Sequence, residues 1–539
     1  MKKKIYVLAI IFLNSMVAFS QIPNWDWAQQ SIATTPSGYN YGYGTATDKS
    51  GNVYVTGSFT GTTMKLGSIT FTNAGGSDYF IAKYDPNGVL LWAKRGGGTG
   101  NDGGLAMAID TSGNLFVTGY FASSTITFGT APFLTNVSSG TADIFVVKYD
   151  QSGNAIWAKS AGSTGDDKGT SISTDASGNV LVTGTYSGSF VYGSTTLGYA
   201  GNTDVFVAKY NPSGGVMWAA SGGGSTGDLA QGVTADNVGN VYIIGEFSSP
   251  NVLFGSTVVT KFTSSQYYND IYLAKYDSMG TLMWAKREGG TSDNTSKGIA
   301  TDPSGNVFIA GGFSSTTITF GSTILNNSSG GKAAYVVKYN SAGTVVWAKG
   351  GSALGTEAFG VTCDILGDAY ATGNNSQDIF VVSYDASGIQ EWLRNAGGTG
   401  NDCGYAIATA QNNVYVSGFF ASTTCVFDTS VLVNSNPGLI NMFIGRLDPA
   451  IVPTSIKEND THFNEMNIYP NPTTGLFHLS LDKNITAGQV EVFNMMGEKV
   501  YGEPFDGQQK TINEKLSSGI YFVRVSGEGK VYTQKIVVE

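Results

Sequence analysis

Residues 143–159 read DIFVVKYDQSGNAIWAK, and close copies of this stretch recur through the first 450 residues of the chain. Ile144 and Val146 fall on one alternating face of the first segment and Phe145 and Val147 on the other, which predicts a strand covered on both sides. Asp150, Gly153 and Asn154 then supply hairpin chemistry: Asp bonds the turn backbone, while Gly and Asn tolerate positive φ. The second strand carries Trp157. Tryptophan counts the copies, at Trp27, Trp92, Trp157, Trp218, Trp284, Trp347 and Trp392, with spacings of 65, 65, 61, 66, 63 and 45. A period of this size marks a repeat architecture whose units bury their faces against one another.

Within one repeat, residues 100–159, the order is GLAMAID, the turn TSGN, LFVTGYF, a variable stretch around TITFG, DIFVVKYD, the turn QSGN, and AIWAK. That is four strands. The first strand with its turn occurs seven times, from TATDKSGN to the eroded ATAQNN, and the third seven times, from DYFIAKYD to NMFIGRLD. No Trp strand follows NMFIGRLD; the missing one stands at the N-terminus as NWDWAQQ. The expectation is an all-β, seven-bladed β-propeller over residues 21–450, with the strand around Trp27 completing the last blade. Blades of about 45 residues are ordinary, so most units carry about 20 extra residues between their second and third strands. The strings GNVYVTG and KYDxxGxxxWAK resemble the bacterial seven-bladed β-propeller repeat family over about residues 22–450. That resemblance implies the fold and little about activity. Ala333 and Asn441 stand where other copies have Asp, and Ser383 where most have Lys, so the Asp and Lys positions read as turn and rim residues.

The composition, with 73 Gly and 13% charged residues in 539, is that of a turn-rich β protein. Formal charge is −10; without Lys2, Lys3 and Lys4 it is 27 minus 40, or −13, which argues against nucleic acid and anionic lipid as partners. Residues 1–20 combine a Lys2 to Lys4 n-region, an apolar core from Ile5, and small residues at Ala18 and Ser20. They read as a secretory signal peptide cut between Ser20 and Gln21, rather than as a transmembrane anchor, for which the apolar run is short. Three cysteines, Cys363, Cys403 and Cys425, do not make a disulfide scaffold; Cys403 and Cys425 share a repeat and could pair, or all three could be buried thiols.

Residues 451–466 read as a polar linker. Beyond it, NIYPNPTTGLFHLSL, QVEVFNMMGEKVY, SSGIYFVRVS and VYTQKIVVE alternate strands with Gly turns over residues 467–539. The stretch resembles the type A C-terminal sorting domain of the type IX secretion system of Bacteroidota. Pro470, Asn471, Pro472 and Gly475 match its opening motif, Gly497 its middle turn, and Gly519, Tyr521 and the ending from Lys535 its close. The resemblance implies a small β-sandwich, recognition by the outer-membrane translocon, removal by the sorting protease, and a protein anchored at the cell surface or released.

The only histidines, His462 and His478, lie outside the repeats, which excludes a Ser-His-Asp triad, a His base or a His-ligated metal within them. Four glutamates, Glu246, Glu288, Glu357 and Glu391, sit in no recognisable motif, and a non-catalytic protein is the expectation. Loops after the Trp strands carry Asp102, Asp167, Asp228, Asp293, Glu357 and Asp402. These acids are expected near the mouth of the central channel, either as turn caps or as a cation site suited to Ca2+; no other cofactor is indicated. The leading function is a monomeric, exported scaffold that binds or displays, with a glycan or an extracellular protein as partner. The alternatives are a secreted carbohydrate-active enzyme using rim carboxylates and a structural envelope component.

Overall fold

The structure, a computed structural model, describes residues 22–33, 38–129, 133–138, 140–263, 265, 267–351, 354–436, 438–448, 466–494, 499–527 and 530–538. The signal segment 1–20 with its Ser20 and Gln21 junction, residues 451–465 of the linker, and Gly497 lie outside them. Every regular element among the described residues is a β-strand, and the chain divides into two compact units, Met1–Val452 and Pro453–Glu539.

The first unit repeats one four-stranded antiparallel sheet. The strands Asp102–Ile109, Leu115–Phe121, Asp143–Tyr149 and Ala155–Ala161 pair in that order, innermost to outermost. The quoted stretch is thus the third and outermost strands and the turn between them. In that turn the Asp150 carboxylate accepts the Ser152 and Asn154 amides at 2.9 and 2.8 Å, and Gly153 takes φ 76°. All seven residues of Asp143–Tyr149 are buried, because each sheet is covered by its neighbours: Phe116, Ile144 and Val146 share one apolar cluster with Ile172, Val180, Val182 and Phe206 of the next sheet. The innermost strands pack side by side in chain order, and Asp402–Ala410 returns against Asn40–Thr47. The architecture is an all-β, propeller-like repeat.

Tryptophan ties sheet to sheet. Trp157 Nε1 donates to the Pro212 carbonyl, in the third turn of the following sheet, at 3.2 Å, and Lys148 Nζ donates to the same oxygen at 3.2 Å. The same pair of bonds runs from Trp218 and Lys209 to Ser278, and from Trp347 and Lys338 to Ala386. Each ring lies flat on the turn glycine: a Cβ at Gly214 would come 3.0 Å from Trp157, and one at Gly280 2.6 Å from Trp218. Glycine is needed there for its φ above +75° and for the closeness of the indole.

Strand Trp25–Ala33 occupies the outermost place of the sheet formed by Asp402–Ala410, Asn413–Phe420 and Asn441–Leu447, with Trp27 opposite Arg446 and Ala28 opposite Gly445. Trp27 Nε1 and Arg446 Nη1 both donate to the Pro86 carbonyl of the first sheet, at 3.0 and 2.6 Å. The closing contact therefore repeats the others, with Arg in place of Lys. The extra residues between second and third strands form hairpins that extend the outermost strand of the preceding sheet: Asn251–Phe254 pairs with Val216–Gly223, and Thr317–Phe320 with Leu282–Gly290, covering an otherwise open edge. Between Ala369–Asn375 and Asp378–Tyr384 no hairpin intervenes, which accounts for the 45-residue spacing.

In the second unit, Met466–Tyr469, Leu476–Asn494, Gly519–Gly527 and Lys530–Val538 pair in that order, and Lys499–Asn513 adds to Leu476–Asn494. Phe477, Leu479, Val490, Val523 and Ile536 centre its core. Asn471 receives the Val537 amide at 2.8 Å and donates to the Lys535 carbonyl at 2.9 Å, so the opening and closing parts of the sorting motif are fastened together. Gly475 has φ 101°, and the Tyr521 hydroxyl donates to the Ser517 carbonyl.

Removing residues 22–33 leaves the last sheet without its outer strand, and the expected outcome is a lower melting temperature with concentration-dependent association. Trp27→Ala should cost about 3–5 kcal/mol, since Trp27 is only 8% exposed. Chemical denaturation and light scattering measure both; an unchanged, monomeric deletion would contradict the closing role of the strand.

Candidate functional site

Each innermost strand breaks register with its neighbour by one residue. The bulges fall between Gly42 and Gly44, Gly104 and Ala106, Gly169 and Ser171, Ala230 and Gly232, Ser296 and Gly298, Ala358 and Gly360, and Gly404 and Ala406. The residue left over is Tyr43, Leu105, Thr170, Gln231, Lys297, Phe359 or Tyr405. A bulge re-aims its extra side chain, and all of these half-buried residues line one open axial cavity of about 370 Å³. The bulge recurs, while the side chain it presents is Tyr twice and otherwise differs.

Chemistry around the cavity is uneven. Tyr43 stacks on Tyr41 with centroids 5.3 Å apart and on Tyr405 at 5.5 Å, and Tyr405 meets Phe359 edge-on at 5.2 Å, a continuous aromatic arc. Across from it, Glu246 accepts Lys297 Nζ at 2.7 Å, the Ser296 amide at 3.3 Å and Gln231 Nε2 at 3.5 Å. Burial raises the Glu246 carboxyl above its ordinary value, opposed by Lys297 and reinforced by the charge of Glu357. Glu357 accepts Lys332 Nζ at 3.2 Å and also contacts the Thr295 hydroxyl. Glu391 lies away from the cavity on an outermost strand, accepting the Ser383 hydroxyl at 2.7 Å. Glu288 stands opposite Ile271, where other outermost strands place Gly96, Ala161, Gly222 and Ala396.

The six acids expected at the channel mouth are placed otherwise. Asp102, Asp167, Asp228 and Asp402 are fully buried and bond loop residues of their own sheet: Asp102 accepts Ser123 Oγ at 2.6 Å and the Gly98 amide at 2.8 Å, Asp228 accepts Ser249 Oγ at 2.8 Å, and Asp402 accepts Ser422 Oγ at 2.6 Å. Asp167 takes the Ser187 amide at 2.9 Å and the Ser163 hydroxyl at 3.1 Å. Asp293 and Glu357 are out of register with these four. The equivalent residues, three before the bulge, are Asn294 and Thr356: Asp293 precedes that position by one residue and Glu357 follows it by one. Among the described residues no three His, Cys, Asp or Glu side chains gather as a metal-binding group. Sequence reasoning missed the bulged residues; their signal is a position whose residue changes along the repeats, with Tyr at both 43 and 405, immediately before Gly, Ala or Ser. Cys363, Cys403 and Cys425 are all free thiols, so Cys403 and Cys425 are not paired.

Residues 467–539 match the family described as the secretion system C-terminal sorting domain. The protein is therefore exported by the type IX system, to the cell surface or beyond. No helix among the described residues is long and apolar enough to cross a membrane. An uncharacterised WD repeat-containing protein of Acanthamoeba polyphaga mimivirus is 26% identical over 365 residues, 54% of this chain and 26% of that protein. An ulvan lyase of Nonlabens ulvanivorans is 33% identical over 88 residues, 16% of each chain. The chain thus spans about a quarter or less of the length of these relatives. Among solved structures, Sqt1 from Chaetomium thermophilum aligns with 71% of this chain and 96% of its own, at a TM-score of 0.38 and 8% identity.

Burial pushes the Glu288 carboxyl up to about 7, against the pull of Lys286. A carboxyl that holds its proton more tightly folded than unfolded makes stability fall as pH rises from its unfolded value to its folded one. Melting temperature should therefore decline from pH 4.5 to 7, and Glu288→Gln should flatten that decline. Parallel slopes for the two proteins in differential scanning calorimetry would contradict the burial effect.

Proposed function

We propose that the mature protein is a seven-bladed propeller, residues 21–450, that binds a glycan at its axial cavity in a non-catalytic way, outside the cell, with residues 467–539 as its export signal. The observation that carries this reading is the ring of bulged residues. A constant scaffold presents six residue types from seven equivalent positions, all turned to one cavity. The order of the innermost strands and the return of Asp402–Ala410 to Asn40–Thr47 support the blade count and the closed ring. A pyranose has apolar faces and a polar edge, and the cavity offers an aromatic arc opposite Gln231 and the Glu246–Lys297 ion pair, which is neutral as a unit. An extracellular protein is the other candidate partner.

A carbohydrate-active enzyme is the second reading, favoured by one observation: Glu246 and Glu357 lie within electrostatic reach of each other beside the cavity. Against it, Glu246 is 3% exposed and both carboxylates are paired with lysines. If hydrolysis or elimination occurs, Glu246→Gln should abolish it on a polysaccharide panel.

On a glycan array the mature chain should retain a defined oligosaccharide, and Tyr43→Ala with Tyr405→Ala should weaken binding at least tenfold, with Gln231→Ala as a milder variant that keeps the aromatic arc. Binding unaffected by all three substitutions would place the ligand elsewhere. For export, deleting residues 467–539 should leave a folded first unit in the periplasm, since the units have separate cores; normal levels of the truncated protein outside the cell would contradict the sorting role.

A further inference from the structure

Adjacent sheets meet at a repeated backbone contact: the amide of the first residue of an innermost strand, or the residue just before it, donates to the carbonyl preceding the third strand of the sheet before. Asp167 donates to Ala142 at 2.7 Å, Asp228 to Thr203 at 2.8 Å, Asp402 to Gln377 at 2.7 Å and Asp102 to Ser77 at 2.7 Å. The contact brings the acid of one sheet beside the first residue of the neighbour's third strand, so carboxylates face each other across the seam as Asp143 with Asp167, Asp204 with Asp228, Asp378 with Asp402, and Asp78 with Asp102. Proximity is felt electrostatically: each of Asp143, Asp228 and Asp102 is raised in part by the charge of its partner.

How each seam disposes of this charge differs. At the seam of Asp78, Arg95 of the outermost strand contacts the carboxylate, and at the equivalent place Arg287 lies 3.5 Å from Asp270, which faces the neutral Asn294. Where the third strand begins with Ala333, the innermost strand's equivalent residue is Thr356, so neither acid is present. At the closing seam both acids are amides, with Asn40 Nδ2 3.4 Å from Asn441 Oδ1. Three seams have none of these devices. The residues in the place of Arg95 are Ser160, Ser221 and Asn395, opposite Phe145, Phe206 and Phe380 as Arg95 is opposite Phe80. Oδ1 of Asp143, Asp204 and Asp378 is buried and accepts no hydrogen bond from the protein; the same holds for Oδ1 of Asp78, but the second oxygen of Asp78 meets Arg95, whereas these three seams have no such cation. Asp143 and Asp204 are 0% and 2% exposed and Asp378 is half-buried; the second oxygens of Asp143 and Asp204 take the Val137 and Ala200 amides, and the Gly224 amide also bonds Asp204. The orphaned oxygens abut Gly162, Gly223 and Gly397, where a Cβ would intrude to within 2.2 Å, so no side chain of the chain itself could answer them.

Two desolvated carboxylates without a countercharge are strongly unfavourable. We propose that the seams Asp143/Asp167, Asp204/Asp228 and Asp378/Asp402 each bind a Ca2+ ion, which takes the place that the guanidinium of Arg95 or Arg287 fills elsewhere. Calcium accepts carboxylate and main-chain oxygens in irregular arrangements, and with only two carboxylates per site the affinity belongs to the millimolar class of extracellular modules. Each ion would join two neighbouring sheets. The site is separate from the axial cavity and independent of any ligand there.

The mature protein is tested with CaCl2 and with Tb3+ as a luminescent substitute. Ca2+ at about 10 mM should raise the melting temperature by about 1–2 °C per occupied seam, reversed by chelator, and Tb3+ emission excited through the aromatic residues should be quenched by competing Ca2+. Asp143→Asn and Asp204→Asn, which copy the amide of the closing seam, should each reduce the Tb3+ stoichiometry by one. Arg95→Met, which bares the Asp78/Asp102 pair, should raise it by one. Should the Asn variants fail to fold, the wild type and Arg95→Met decide alone. No Ca2+ response and no Tb3+ binding would overturn the proposal.

Discussion

The hydrogen bond from a tryptophan indole to a carbonyl in the next sheet's turn, made by Trp27, Trp92, Trp157, Trp218 and Trp347, is the constraint on which the rest of the first unit depends. It fixes the distance between neighbouring sheets, it requires glycine at the turn because the indole lies on that Cα, and it aligns a lysine or arginine on the same oxygen. The motif spaced across KYDxxGxxxWAK is therefore the two halves of a joint. Lysine and tryptophan reach forward from one sheet, and the Asp-Gly turn receives them in the next.

Because that joint carries the association between sheets, other positions are free to change. Innermost strands use the freedom at their bulges, where Leu105, Gln231, Lys297 and Tyr405 occupy one geometric role with unrelated chemistry. Seams use it at their acids, where carboxylate, guanidinium, amide and alanine alternate. Variation in the first case faces solvent in the axial cavity; in the second it lies between sheets.

Much of this was legible in the sequence. The order of strands, the Asp-x-Ser-Gly-Asn turns and the return of the strand around Trp27 to NMFIGRLD follow from counting copies, because those features recur with fixed chemistry. The bulges were not legible, since one extra residue in a strand only disturbs an alternation that a strand buried on both faces lacks. For the same reason Asp293 and Glu357 were grouped with Asp102. Register comes from pairing, and the paired residue is Asn294 in one case and Thr356 in the other. The facing of Asp143 and Asp167 was hidden as well, because neither residue's motif names the other. In the second unit the motif residues were evident, whereas the bonds from Asn471 to Lys535 and Val537 needed the fold.

The strand Trp25–Ala33 binds a partner far away in the chain: the Ala33 amide reaches Asn441, 408 residues on. Closing a loop of that length costs about 5 kcal/mol in chain entropy, against far less for any hairpin within a sheet. Trp25–Ala33 is thus the last of these strands to find its place, and until residues 441–447 are present the array has two raw edges and no stable circumference.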